Sequence, residues 1–497
     1  MPLDPAGSGS ASSGPLPPGR AADALLAELR ALREGDAPTR GGRTFAYVYD
    51  AGLPGLDGLA AEAYAVHASV NGLDPTVFPS VARLENDVVG AVAAVLGTPG
   101  VQGTFTSGGT ESVLLAVKTA RDHARAGRGV DRPELVLPST AHPAFHKAAH
   151  YLGVDPVVVP VDPVTFRADP DAVAAALTPR TVLVAASAPS YAHGVMDPVA
   201  GIAAVAAERG VLCHVDACIG GWYLPFLRRT GRPVEPFDLS VPGVTSLSVD
   251  LHKYGYADKG ASVVLYRDAE LRRHQYFAHA GWPGYPVVNP TAQGTRSAGL
   301  LAQAWAVLRH IGGDGYTALA ERVAAAAERL VPGLRGTEGV EVLGEPAGSL
   351  VAFTVTGADS SPDLGLVLHT ADGMRERGWY LQPQLSCAGM PPNLHLTLTP
   401  ATGDRVEALL ADLRASLAAA RAAEPVAVDP AVAGAVAGLD PDRLGPEDIA
   451  GVLALAGIGP GAPPPTRTAP VLALLDALPD RLKERLMTEF VGSLFRV

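Results

Sequence analysis

Lysine, cysteine and aromatic residues are all scarce in this 497-residue chain, and each scarcity narrows what the chain can do. Its three cysteines, Cys213, Cys218 and Cys387, are too few to build a disulfide framework at this length. No second Cys/His pair at zinc spacing accompanies Cys213 and Cys218, so no metal site is expected. A reducing, cytoplasmic compartment is the matching expectation. The chain lacks a run of about 18 uninterrupted apolar residues, which argues against a membrane span. Its N-terminus also lacks the basic, apolar and small-residue succession of an export signal. A net charge of −12 leaves no basic face for nucleic acid.

Lysine is the most telling shortage. There are five: Lys118, Lys147, Lys253, Lys259 and Lys483. Arginine carries the remaining positive charge beside abundant Ala, Gly and Pro, the bias of a GC-rich coding sequence. Under such a bias, surviving lysines are enriched where arginine cannot substitute, above all where an amine must condense with a carbonyl.

What is present reads as a globular protein of two or three domains, 47% hydrophobic and 18% charged. Residues 1–20 are Gly/Ser/Pro-rich and read as a disordered tail. An N-terminal segment over 21–84 opens with an amphipathic helix at 21–34 (Leu25, Leu26, Leu29, Leu32), and Ser80 suits the N-cap of a later helix. Over 85–310 the runs VQGTFT, LVLP, VVVPV, TVLVAA, VLCHVDA, TSLSV and ASVVLY alternate with helical stretches. Short apolar runs between helices mark strands buried on both faces, and so a large, doubly wound, mostly parallel sheet. Residues 311–423 read as a smaller α/β domain with strands near VEVLG, SLVAFTV and LHLTLTP. A helical C-terminal extension occupies 424–497.

Three signals recur in order along the large domain. Ser107-Gly108-Gly109-Thr110 follows a strand and opens a helix, so backbone N–H groups and the Thr110 hydroxyl would face an anion. Such a turn also forms with no ligand at all. Asp216 ends an apolar strand, where a carboxylate is costly without a positive partner. It could merely cap the following loop, but a protonated pyridine nitrogen is a partner of the right charge. Lys253, preceded by His252, follows another strand. Desolvation there would lower its pKa and free its lone pair for attack on an aldehyde. A phosphate turn, a strand-end Asp and a withheld lysine on one sheet together point to pyridoxal 5'-phosphate (PLP), held as a Schiff base on Lys253. His142, after the strand LVLPS, is placed to stack on the ring.

SGGTES, HPAFHKAA, HGVMDP, HVDACIGGWYLPF, SVDLHKYGYADKGASVVLY and PTAQGTRSAG resemble the motifs of the sphingosine-1-phosphate lyase family, PLP enzymes of fold type I related to the group II decarboxylases. The resemblance runs from about Tyr49 to the C-terminal helices. It implies a homodimer with sites at the subunit interface. It further implies that Gly109, Thr110 and His252 hold the cofactor phosphate, that His142 stacks on the ring, and that Asp216 pairs with the pyridine nitrogen. Lys259 matches a second lysine near the substrate and Tyr49 an N-terminal active-site tyrosine. Gly294, Thr295 and Arg296 match a loop that family members extend toward the partner subunit's cofactor. In Asn71-Gly72-Leu73-Asp74-Pro75-Thr76, Asp74 replaces the family's histidine. Facing a substrate phosphate it would repel it by about 1 kcal/mol or more unless Lys259 or Arg296 offsets it. Tyr380, Leu381 and Gln382 also depart from the family.

The expected activity is a PLP-dependent carbon-carbon lyase on an amino alcohol or related amine, with Tyr49, Lys259 or Asp74 as the base. A PLP-dependent amino-acid decarboxylase is the alternative. A catalytically silent binding subunit is the alternative from another class, disfavoured by the full set of Thr110, His142, Asp216 and Lys253.

Overall fold

A computed structural model describes residues 19–426, 428, 434, 436, 438–455 and 467–495. Residues 1–18 of the expected tail and 456–466 of the Pro-rich loop lie outside the described residues.

Each of the seven apolar runs of the large domain is a strand: β1 (Gln102–Thr106), β2 (Glu134–Pro138), β3 (Asp155–Val159), β4 (Thr181–Ser187), β5 (Leu212–Asp216), β6 (Val244–Asp250) and β7 (Ser262–Tyr266). They form one sheet in the order β1-β7-β6-β5-β4-β2-β3. β2 to β6 run parallel, and β7 is antiparallel to both β6 and β1. Burial on both faces follows the period of two. Leu135, Leu137, Leu183 and Ala185 pack into one core with Val113, Val117 and Phe145. Val136, Val184, Val215 and Leu247, from the alternate positions, pack into the core on the other face with Ile202 and Ala203.

A second sheet, β10 (Val340–Val342), β11 (Leu350–Val355), β12 (Gln382–Gln384) and β13 (Asn393–Thr397), is antiparallel in the order β10-β11-β13-β12. The helix Gly299–Arg335 links the two domains, crosses the expected 310/311 divide, and turns at Gly312, whose φ is 64°. The N-terminal segment joins the small domain. Phe45 N–H donates to the Tyr380 carbonyl (2.9 Å), and Thr397 N–H donates to the Phe45 carbonyl (2.7 Å).

Four details differ from, or go beyond, the sequence reading. Ser80 is not an N-cap: the helix Pro79–Val95 is capped at Phe78, because Pro79 with its missing N–H takes the first helical position. The helix Ala22–Leu32 buries none of its residues, so its leucine stripe faces outward. An exposed hairpin of β8 (Phe277–His279) and β9 (Val287–Asn289) had no clear signal in the sequence. In the C-terminal part, Val436, Leu444, Ile449 and Leu482 form a small core of their own. Among the described residues no helix is long and apolar enough to cross a membrane.

Leu247 is fully buried at the centre of β6. Leu247→Ala is expected to destabilise the protein by about 2–5 kcal/mol, read as a lowered denaturant midpoint in chemical unfolding.

Candidate active site

Parallel strands bring their carboxyl ends to one edge of the sheet, and a cleft of about 310 Å³ opens there. The turn Ser107–Gly109 enters it from β1 and opens the 20-residue helix Gly109–Arg128. Gly108 has φ 149°, which favours glycine. Gly109 is required by proximity: a Cβ there would lie 2.7 Å from Cys218 Sγ and 2.8 Å from the Asp250 carboxylate. The buried Glu111 locks the turn, accepting from Ser107 N–H (2.7 Å) and Ser107 Oγ (2.8 Å) with one oxygen. Its other oxygen accepts from Ala292 N–H (2.8 Å), tying the turn to the 291–296 loop.

Asp216 ends β5, and its Oδ1 accepts from Cys218 N–H (3.1 Å). Behind it, burial lowers His214 to about 4, so that ring stays neutral. The lysine loop after β6 is held from several sides. Tyr254 Oη donates to the Leu398 carbonyl (2.7 Å), Tyr316 Oη donates to the Gly255 carbonyl (2.8 Å), and His252 N–H donates to the Ala261 carbonyl (3.0 Å).

Lys253 departs from the expectation that desolvation would lower its pKa. Its Nζ lies 3.0 Å from the buried Asp250 carboxylate. Burial, the largest single influence, pushes the amine down, but the Asp250 charge together with the smaller effects of Tyr49, Cys218 and Asp216 outweighs it, and the net direction is well above the usual lysine value. Asp250 is correspondingly lowered: burial raises it, and Lys253, His252 and the Ser262 hydroxyl together overcome that. A positive charge is therefore stabilised at this nitrogen.

His142 stands at the open side of the cleft. Its Nδ1 accepts from Ala144 N–H (3.1 Å), and burial lowers its pKa, keeping the ring neutral. Tyr49 packs edge-on to Tyr254 and feels the charges of Lys253 and Asp250; burial raises it to about 12, making it a hydrogen-bond donor at neutral pH. The Lys259 amine is 3.4 Å from the His252 carbonyl and 4.9 Å from the Tyr49 ring centre. The residue as a whole is exposed, yet burial around the amine, followed by the Lys253 charge, lowers it to about 8.

Ser107, Gly108, Gly109, Thr110, His142, Asp216, His252 and Lys253 thus share one cleft. Six other expected residues are not among its lining: Tyr49 and Lys259, placed above, and Asp74, Gly294, Thr295 and Arg296. Asp74 is exposed and turned onto its own backbone, accepting from Thr76 N–H (2.8 Å) and Thr76 Oγ1 (2.6 Å). The repulsion of a substrate phosphate expected from Asp74 therefore has no footing within this cleft. Arg296 is paired with Glu85 (3.1 Å) and donates to the Phe105 carbonyl (3.2 Å). Gly294 and Thr295 lie beside it on the 291–296 loop. Sequence reasoning missed Glu111, Asp250 and Tyr191, which also face the cleft. The argument applied to Asp216, an acid at the end of an apolar strand, would have found Asp250. Neither Glu111 nor Tyr191 carried a comparable local signal.

The donor set fits PLP. A helix N-terminus whose glycine admits no Cβ faces the phosphate's place, a strand-end carboxylate suits the pyridinium, a neutral imidazole borders the ring, and a charged amine stands beside them. Such a cleft at the carboxyl edge of a doubly wound sheet defines a PLP-dependent enzyme of fold type I. Residues 41–356 match the pyridoxal-dependent decarboxylase conserved domain, and the chain belongs to that family. Residues 430–493 match a domain described as the C-terminal putative HTH domain of pyridoxal-dependent enzymes. A sphingosine-1-phosphate lyase of Dictyostelium discoideum is 39% identical over 72% of this chain and 65% of its own length, so the chain spans about two thirds of that relative. A probable L-tyrosine/L-aspartate decarboxylase of Methanothermobacter thermautotrophicus is 32% identical over 71% of this chain and 93% of that one. The solved sphingosine-1-phosphate lyase of Burkholderia pseudomallei superposes with a TM-score of 0.78 at 36% identity, covering 84% of this chain and 96% of that one.

Gly109→Ala is expected to cost about 1–3 kcal/mol of cofactor binding, about fivefold to a hundredfold in affinity, because the buried Cys218 thiol and Asp250 carboxylate, both short side chains with little room to move, oppose the new Cβ. Cofactor absorbance after dialysis reads the loss, and an unchanged far-UV circular dichroism spectrum would show that the fold survives.

Proposed function

We propose that the chain is a PLP-dependent carbon-carbon lyase acting on an amino alcohol or a related amine. The likeness to the Burkholderia lyase, spanning 96% of that structure, carries the reading, together with an amine of lowered pKa beside the cofactor cleft. Bound PLP supplies an electron sink for the bond that is cleaved.

The chain's own residues do the rest. Asp216 offers a carboxylate that favours a proton on the ring nitrogen. Asp250 holds positive charge at Lys253 Nζ. The neutral His142 borders the ring face without adding charge. In its unprotonated form, Lys259 takes the proton from the substrate hydroxyl next to the cleaved bond, and Tyr49 donates a hydrogen bond. The homodimer implied by the sequence, with the 291–296 loop facing a second subunit, belongs to this proposal. So does a reducing, cytoplasmic setting, which the three free cysteines suit.

A second reading, amino-acid α-decarboxylation, is favoured by the Methanothermobacter relative. Product analysis with amino alcohols, phosphorylated and not, and with amino acids separates the two. Aldehyde release supports the lyase; carbon dioxide with an amine and no aldehyde overturns it.

The base assignment predicts a pH dependence. Lys259 is protonated and idle below its pKa of about 8, so kcat/KM should rise with pH through that value and then level off. Lys259→Arg, which keeps the charge but cannot lose its proton, should remove this limb.

A further inference from the structure

A tyrosine that lines the cleft and a second, exposed tyrosine are joined by one glutamine. Tyr191 Oη donates to Gln382 Oε1 (2.6 Å), and Gln382 Nε2 donates to Tyr47 Oη (2.8 Å). The three residues come from different parts of the chain. Tyr191 lies in the loop after β4 and lines the cleft beside Lys253. Gln382 opens β12 of the small domain. Tyr47 lies in the N-terminal segment anchored on that domain.

The arrangement is held firmly. The Tyr191 ring stacks on the buried His395 at 4.3 Å, and Gln384 Nε2 donates to the Ala192 carbonyl (3.2 Å), tying the same loop to the same strand. Tyr47 packs against Tyr380 and has φ 66°, a left-handed backbone that a non-glycine residue adopts at a cost. Strain of this kind persists where surrounding contacts impose it, and here the Tyr380 packing and the Gln382 bond hold the Tyr47 side chain.

The bonding fixes proton direction. An amide oxygen can only accept, so the Tyr191 proton is committed to Gln382 and the phenol oxygen, with the Thr397 hydroxyl also near it, meets the cleft as an acceptor. We infer that Gln382 is a positioning residue that makes Tyr191 an acceptor toward the substrate. The group it recognises is a hydroxyl donor next to the substrate amine, which selects amino alcohols over plain amines. This rests on the PLP-lyase reading above.

Binding of two small amines to the holoenzyme tests it, read by the absorbance change of the bound cofactor: ethanolamine, which carries the hydroxyl, and n-propylamine, which replaces it with a methyl. The wild type should prefer ethanolamine by about fivefold or more, the worth of one hydrogen bond. Gln382→Leu leaves the Tyr191 hydroxyl unanchored, free to rotate and to donate, and should weaken the preference by about twofold or more. Tyr191→Phe, which removes the acceptor but keeps the ring stacked on His395, should abolish it, and the double variant should be no worse than Tyr191→Phe alone. Gln382→Glu still accepts the Tyr191 proton and should keep the preference.

Equal binding of the two amines by the wild type, or an unchanged preference in Gln382→Leu or Tyr191→Phe, would overturn the inference while leaving the cofactor site intact. Loss of the preference in Gln382→Glu would overturn the assigned proton direction and the inference with it. No absorbance response to either amine would remove the lyase reading itself.

Discussion

The cleft depends on a close approach among three strand ends. The Cα of Gly109 rests against the Asp250 carboxylate and the Cys218 thiol, and the same carboxylate reaches Lys253 at 3.0 Å. The turn after β1, the second residue past β5 and the last residue of β6 therefore share one small volume. Cys218 and Asp250 are deeply buried, and water cannot moderate their interactions as it would at the surface. Were the glycine to gain a side chain, the turn would have to withdraw from the lysine. Were the carboxylate lost, a buried ammonium would stand without its closest counter-charge. Glu111 extends the same lock outward by binding both the turn and the 291–296 loop.

The small domain contributes without supplying the cofactor set. Through Phe45 it anchors the segment bearing Tyr47 and Tyr49, through Leu398 it holds the Tyr254 hydroxyl of the lysine loop, and through Gln382 and Gln384 it holds the Tyr191 loop. The division is a physical one. The parallel sheet positions the groups that meet the cofactor, while the small domain positions aromatic hydroxyls around the cleft mouth.

Much of this was readable from the chain because it is local. The central strands of the large sheet are short apolar runs whose alternate residues enter different cores, as Leu135 and Val136 do, whereas β3, at the sheet edge, leaves most of its residues exposed. The glycine turn, Asp216 and Lys253 each sit at a strand end, so their order along the chain already implied a common edge. What escaped the reading depends on partners distant in sequence. Tyr191 and Gln382 are 191 positions apart, and Glu111 meets Ala292 across 181. Asp74 misled because its side chain satisfies its own turn, a choice available to any Asp ahead of a free backbone N–H. Burial alone gives the wrong direction of pKa shift at Lys253, because the Asp250 carboxylate stands 3.0 Å from its amine.

The central claim is that the amine at position 253 carries the cofactor. Borohydride reduction of the PLP-loaded protein, followed by peptide mapping, tests it most directly. The account predicts a stable pyridoxyl group on the peptide containing Lys253 and on no other of the five lysines. A label on Lys259, on any other lysine, or on none would contradict it.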